Sequence, residues 1–134
     1  MRDDRFREQP HARAQGDVGE DDAVEWLRLQ GYRIVDRNVT SHAGELDAVA
    51  RDGDTLCFVE IKARSSRAYG PAIAAISRQK QRKIARAASL YLASHPTDLE
   101  CRFDVLAMDL GDDGWHYTLV KDAFLAPMSS WGGY

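Results

Sequence analysis

A chain of 134 residues, 44% apolar and 29% charged, is long enough for one hydrophobic core and ordinary in composition for a globular domain. A net charge of −3 and a pI near 5.8 exclude a protein that coats nucleic acid through overall basicity. No apolar run approaches the length of a membrane span, and the polar start MRDDRFREQPHARAQ lacks the form of a secretory signal. The expected location is the cytoplasm, with no membrane partner.

Residues 1–14 are charged and aperiodic and read as a disordered leader, before one domain over residues 15–126 and a short tail over 127–134. Residues 17–30 have helical periodicity: Val18, Ala23, Trp26 and Leu27 form the apolar stripe, and Gly31 stands in the helix-stop position. Glu20 lies three before Ala23 and seven before Leu27, so it projects from the stripe that faces the core. Asp21, Asp22 and Glu25 are expected to point to solvent. A strand over residues 32–39 follows.

Residues 44–50 and 55–63 flank Asp52-Gly53-Asp54 and read as a hairpin. Pairing Ala50 with Thr55 sets Asp47 opposite Phe58, whereas sliding by two sets Asp47 opposite Glu60. In both registers Asp47, Glu60 and Lys62 share the face that buries Leu56 and Phe58. After a loop over residues 65–71 comes a long helical pattern, which Ser77 could cap afresh and Pro96 ends. Ile76, Lys80, Ile84, Ala87 and Tyr91 lie along one side of it, so Lys80 is the polar exception. Strands over residues 100–110 and 115–120, joined by the turn GDDG, complete an order α-β-β-β-α-β-β. That order is an α/β fold with a mixed sheet flanked by helices. Cys57 and Cys101 lack metal-ligand spacing and read as buried, reduced thiols.

A carboxylate and an ammonium on a buried strand face are unfavourable unless paired or bound to something. Asp47, Glu60 and Lys62, with Glu20 aimed at the same core, form three acids and one amine. Carboxylate oxygens suit Mg²⁺, or Mn²⁺ in its place, and a lysine can serve an attacking water or a phosphorus oxygen gaining charge. The plainer reading is a solvated cross-strand Glu-x-Lys pair, with Glu20 favouring its helix N-terminus and Asp47 capping a turn. The coincidence of acids on buried-face positions of three elements favours a metal site. Arg78, Lys80, Arg82 and Lys83 are either a solvated helix face or phosphate contacts beside that site.

Gly16-x-x-Gly19-Glu20, Gly31-Tyr32, Arg37-Asn38, Gly44-Glu45-Leu46-Asp47, Phe58-Val59-Glu60-Ile61-Lys62-x-Arg64, Gly70, Lys80 and Arg102-Phe103-Asp104-Val105 together resemble the bacterial YraN-like family. That family is similar to the restriction-endonuclease-like nucleases, and distantly to archaeal Holliday junction resolvases. The resemblance covers roughly residues 16–124. It implies a central mixed sheet flanked by helices, with catalytic residues at Glu20, Asp47, Glu60 and Lys62. Of these, Asp47, Glu60 and Glu20 would be the metal ligands. Leu46 stands where the superfamily often has Pro, and Ala63 where the family often has Thr.

The expected activity is Mg²⁺-dependent endonucleolytic cleavage of DNA, including branched or structured DNA, with RNA not excluded. Arg64, Arg78, Lys80, Arg82 and Lys83 would contact nucleic acid, and a homodimer is plausible by analogy. The alternatives are a non-catalytic nucleic-acid-binding protein using the basic helix over residues 78–86, and an interaction domain whose buried charges form an ion-pair network.

Overall fold

The structure is a computed structural model and describes residues 11–65, 71 and 76–126. Most of the expected leader, Tyr69 and Gly70 of the loop, and the tail from residue 127 lie outside the described residues.

Helix α1 spans His11–Leu29 and so begins inside the stretch expected to be leader. Its first turns carry no apolar stripe, which is why periodicity did not reveal them. Gly31 stops it as expected, at φ 99°, with the Gly31 N–H donating to the Arg28 carbonyl and the Tyr32 N–H to the Leu27 carbonyl. Only glycine adopts that left-handed geometry without steric cost, and the paired bonds satisfy carbonyls the helix end would otherwise orphan.

The next elements are β1 (Arg33–Ser41), β2 (Gly44–Asp52), β3 (Thr55–Arg64), α2 (Arg78–Ser94), β4 (Glu100–Gly111) and β5 (Gly114–Phe124). The five strands lie in sequence order, antiparallel except that β3 and β4 run parallel. That parallel pair needs a crossover, and α2 supplies it. Ser77 caps α2 as expected, its Oγ accepting from the Lys80 N–H at 3.0 Å. Strand β5 runs past the expected end at residue 120. The register of β4 with β5 shifts between Phe103 and Val105, and Asp122 has a φ of 54°, so a polar, irregular stretch conceals the continuation.

Alternation along the strands sorts the core into two layers. On one face Val49, Leu56, Phe58, Phe103 and Val105 meet Ile84, Ala88 and Tyr91 of α2. On the other, Ala48, Ala50, Cys57, Val59, Leu106 and Met108 meet Ala23 and Leu27 of α1. Phe58 is the largest fully buried side chain among the described residues, with the Tyr91 ring edge-on at 6.0 Å and Phe103 at 5.7 Å. Burying such a ring contributes about 1.5–3 kcal/mol. On the α1 side Trp26 stacks on Tyr117 at 5.0 Å, and Gly19 lies beside the Trp115 ring. The result is a mixed sheet with a helix on each face, the restriction-endonuclease-like arrangement.

Two expectations about surface and interior need correction. Cys57 is buried, but Cys101 is exposed at the start of β4. Asp21 does not simply face solvent: its Oδ1 accepts from Arg37 at 2.8 Å, which ties α1 to β1.

A buried polar network pins the end of the sheet where β4 begins. Asp104 is wholly buried and accepts from the Tyr32 hydroxyl at 2.7 Å, from Arg102 at 2.8 and 3.0 Å, and from the Asp122 N–H at 2.9 Å. Arg102 also donates to Asp52, which Lys121 reaches at 3.0 Å. Every acceptor on Asp104 is engaged, so its charge is stabilised despite burial. Asp104→Ala leaves a guanidinium, a hydroxyl and an amide short of a partner and should cost roughly 3–5 kcal/mol. Tyr32→Phe removes the bond to Asp104 and the longer one the hydroxyl accepts from Arg102 at 3.3 Å, and should cost roughly 1.5–3 kcal/mol. Urea unfolding at neutral pH would check both, and equal small losses would mean the network relaxes freely.

Candidate active site

Three strand pairings place the site. Strand β2 stays paired with β1 down to Ser41↔Gly44, and β3 stays paired with β4 out to Arg64↔Asp109. The pairing of β2 with β3, however, stops at Ala48↔Val59. The sheet therefore forks, and Asp47 and Glu60 are the first residues past the last pair. Of the two registers the sequence allows, the one that sets Asp47 beside Glu60 is observed, since Ala50 pairs with Cys57. Beyond the ladder the Ile61 N–H donates to Asp47 Oδ2 at 2.8 Å, a side-chain acceptor where a strand would normally offer a carbonyl.

The two carboxyl groups meet in that fork, close enough for each to act on the other's charge. Glu60 is buried at 8% exposure, two residues beyond Phe58 on the same face of β3. Burial, and then the Asp47 charge beside it, push its pKa up to about 8, against the pull of Lys80 and Lys62. Burial raises Asp47 as well, although the Ile61 N–H and the Glu60 proton both favour its ionised form. Of the two, Glu60 is the one that keeps its proton into the neutral range.

The other expected site residues are placed as follows. Lys62 follows Glu60 on the same strand face, is exposed, and forms no ion pair among the described residues. Lys80 leaves the run of basic surface residues and turns to Glu60, with Nζ 3.7 Å from Oε2. That explains the polar exception on the inner side of α2. Glu20 sits on α1, the helix on the opposite face of the sheet, and is not among the main charges acting on either carboxylate. Among the described residues no three His, Cys, Asp or Glu side chains gather as a metal cage. Glu45 is exposed, though its charge raises Asp47.

Arg64 departs from the nucleic-acid-binding role expected of it. It grips Asp109 through Nε at 2.7 Å and a terminal nitrogen at 3.1 Å, with side-chain exposures of 9% and 4%. Parallel register sets these residues side by side, so the guanidinium closes the β3–β4 edge rather than facing outward. Arg78, Arg82 and Lys83 are exposed on α2 as expected. The residues that sequence reading missed are Asp109 and the backbone of Ile61. Asp109 ends an apolar strand and so breaks pattern as Glu60 does; an amide offers no sequence signal.

The raised Glu60 pKa sets a pH dependence. Glu60 keeps its proton in the fold up to about pH 8 but loses it near 4.5 when free, so its stabilising contribution is complete below 4.5 and is lost as pH rises towards 8. With a chelator present, the protein should lose stability across that window. Glu60→Gln keeps a donor without a titrating proton and should remove this component. Thermal melts of both proteins across the window would check it; equal slopes would mean that Glu60 is ionised in the fold.

Residues 19–108 match the model of a family described as "Uncharacterised protein family UPF0102". A UPF0102 protein of Symbiobacterium thermophilum is 46% identical over 119 residues, covering 86% of this chain and 99% of the relative. Another, from Herminiimonas arsenicoxydans, is 38% identical over 117 residues, covering 86% of this chain and 94% of the relative. The UPF0102 protein YraN of Escherichia coli is 41% identical over 112 residues, covering 81% of this chain and 82% of the relative. The residues matched by the family model include both carboxylates of the fork, both lysines beside them, and Tyr32, Asp52, Arg102 and Asp104 of the buried network. The chain belongs to UPF0102, the YraN family, carried on a restriction-endonuclease-like fold.

Proposed function

We propose that this protein is a metal-dependent endonuclease that hydrolyses phosphodiester bonds in DNA, with branched or structured DNA as the preferred form. One observation carries the reading: Asp47 and Glu60 are pressed together in the fork of the sheet, with the exposed Lys62 next on the same strand face. A pair held in mutual repulsion suits a hard divalent cation, whose charge would displace the proton and relieve the repulsion. The donor set is carboxylate oxygen, which fits Mg²⁺, with Mn²⁺ as a substitute, better than a metal that prefers thiolate or imidazole. When bound, Mg²⁺ supplies Lewis acidity at the phosphate.

The chain's own residues then divide the work. Asp47 and Glu60 hold the ion at the end of the buried strand. Glu20 acts through water, since its helix lies on the other face. Lys62 orients the attacking water and offsets the negative charge that grows on the phosphate oxygens. Arg78, Arg82 and Lys83, exposed along α2, contact the backbone phosphates flanking the cleaved bond.

Labelled linear and branched DNA and RNA, incubated with the purified protein and Mg²⁺, Mn²⁺ or EDTA, test the reading. Cleavage that requires metal is the expected result. Lys62→Ala should fold and bind metal yet lose cleavage by roughly 100-fold or more. Metal-indifferent, salt-sensitive binding with no cleavage would identify a non-catalytic binder instead.

The basic helix makes a separate prediction. Each phosphate contact contributes roughly 0.7–0.9 to the slope of log affinity against log salt. Arg82→Ala combined with Lys83→Ala should therefore flatten that slope by roughly 1.4–1.8. An unchanged slope in a fluorescence-anisotropy titration would mean that α2 does not lie along the nucleic acid.

A further inference from the structure

Lys80 stands against the local rules of its helix. It is the third residue after the cap Ser77, where a glutamate or glutamine would reach back to the cap and complement the positive end of the helix dipole. The first turn of α2 instead contains no acid, and Arg78 adds a second positive charge there. Lys80 also falls on the stripe of α2 that meets the sheet, between Ile76 and Ile84, both of which are buried. An ammonium at this point is unfavourable for the helix and for the core edge. Its contact is with Glu60, at 3.7 Å, an ionic distance rather than a close hydrogen bond. The lysine side chain is 48% exposed while the glutamate is 9% exposed, so Lys80 covers the pair from the solvent side.

We propose that Lys80 is the resident counter-cation of the Asp47–Glu60 pair, occupying the side on which a divalent cation would bind and yielding to it. This rests on reading the pair as a metal site and adds a positioning residue that acts on metal affinity. With Lys80 in place the empty pair is neutralised and the carboxylates stay in register with each other. A metal entering from solvent competes with the ammonium for Glu60. The device keeps metal affinity modest, and it leaves a positive side chain at the mouth of the site once the ion is in.

The test is calorimetric titration of Mn²⁺ into the full chain without nucleic acid, comparing wild type, Lys80→Gln and Lys80→Arg. A divalent ion and an ammonium roughly 6 Å apart in water repel by an amount equivalent to about tenfold in affinity. Lys80→Gln should therefore bind Mn²⁺ about tenfold more tightly, and Lys80→Arg, which keeps the charge, should match wild type. Should the Gln variant be poorly folded by circular dichroism, Lys80→Met keeps the aliphatic stem and makes the same comparison. Equal affinities for all variants would reduce Lys80 to a structural partner of Glu60, and weaker binding by Lys80→Gln would make it a metal-supporting residue; either overturns the proposal. Absence of Mn²⁺ binding by every protein, wild type included, would overturn the metal-site reading along with it.

Discussion

The bond from the Ile61 amide to the Asp47 carboxylate is the point on which the site depends. Where β2 and β3 part, the first amide past the ladder would be left without a backbone acceptor, at a cost of about 1–3 kcal/mol if buried. Asp47 takes that bond with one oxygen, so the strands can diverge without leaving an orphaned donor. The same bond fixes the carboxyl group against Glu60, which β3 carries into the fork just past its last pair with β2. Opening the sheet and assembling the carboxylate pair are thus one event, and α2 then brings Lys80 over it.

The charge clusters along the sheet differ in how fully they are satisfied. Around Asp104, a guanidinium, a hydroxyl and an amide meet one buried carboxylate, and the second acid nearby, Asp52, has Arg102 and Lys121. Arg64 and Asp109 are matched as a bidentate pair. These clusters join strands and helix ends, as structural networks do. The Asp47–Glu60 pair is the exception, because two acids face each other and the nearest cation, Lys80, stands at 3.7 Å. Local conflict of that kind is what sites built for function retain, and structural networks remove it.

Much of this was legible before any fold was known. Alternation of Leu56 and Phe58 with Cys57 and Val59 marks a strand buried on both faces, and it runs into Glu60 and Lys62. Gly31, Ser77 and the GDDG turn punctuate the chain where the structure has a helix stop, a helix cap and a hairpin. Less legible were the early start of α1, whose first turns carry no apolar stripe, and the far end of β5, hidden by a bulge. Arg64 misled because an exposed and a buried arginine look alike in sequence; its fate depends on Asp109, which lies 45 residues away.

The sequence by itself determined the kinds of elements, the face that Asp47, Glu60 and Lys62 share, and the family, because these follow from short-range periodicity and from residue identity at set spacings. Only the tertiary structure decided the β2–β3 register, the fork, the turn of Lys80 towards Glu60, the capture of Arg64 by Asp109 and the side of the sheet on which Glu20 lies. The reason is physical. Two registers bury the same apolar face almost equally well, so alternation cannot choose between them. The choice falls to hydrogen bonds and ion pairs between residues far apart in the chain, which exist only once the strands and helices have packed.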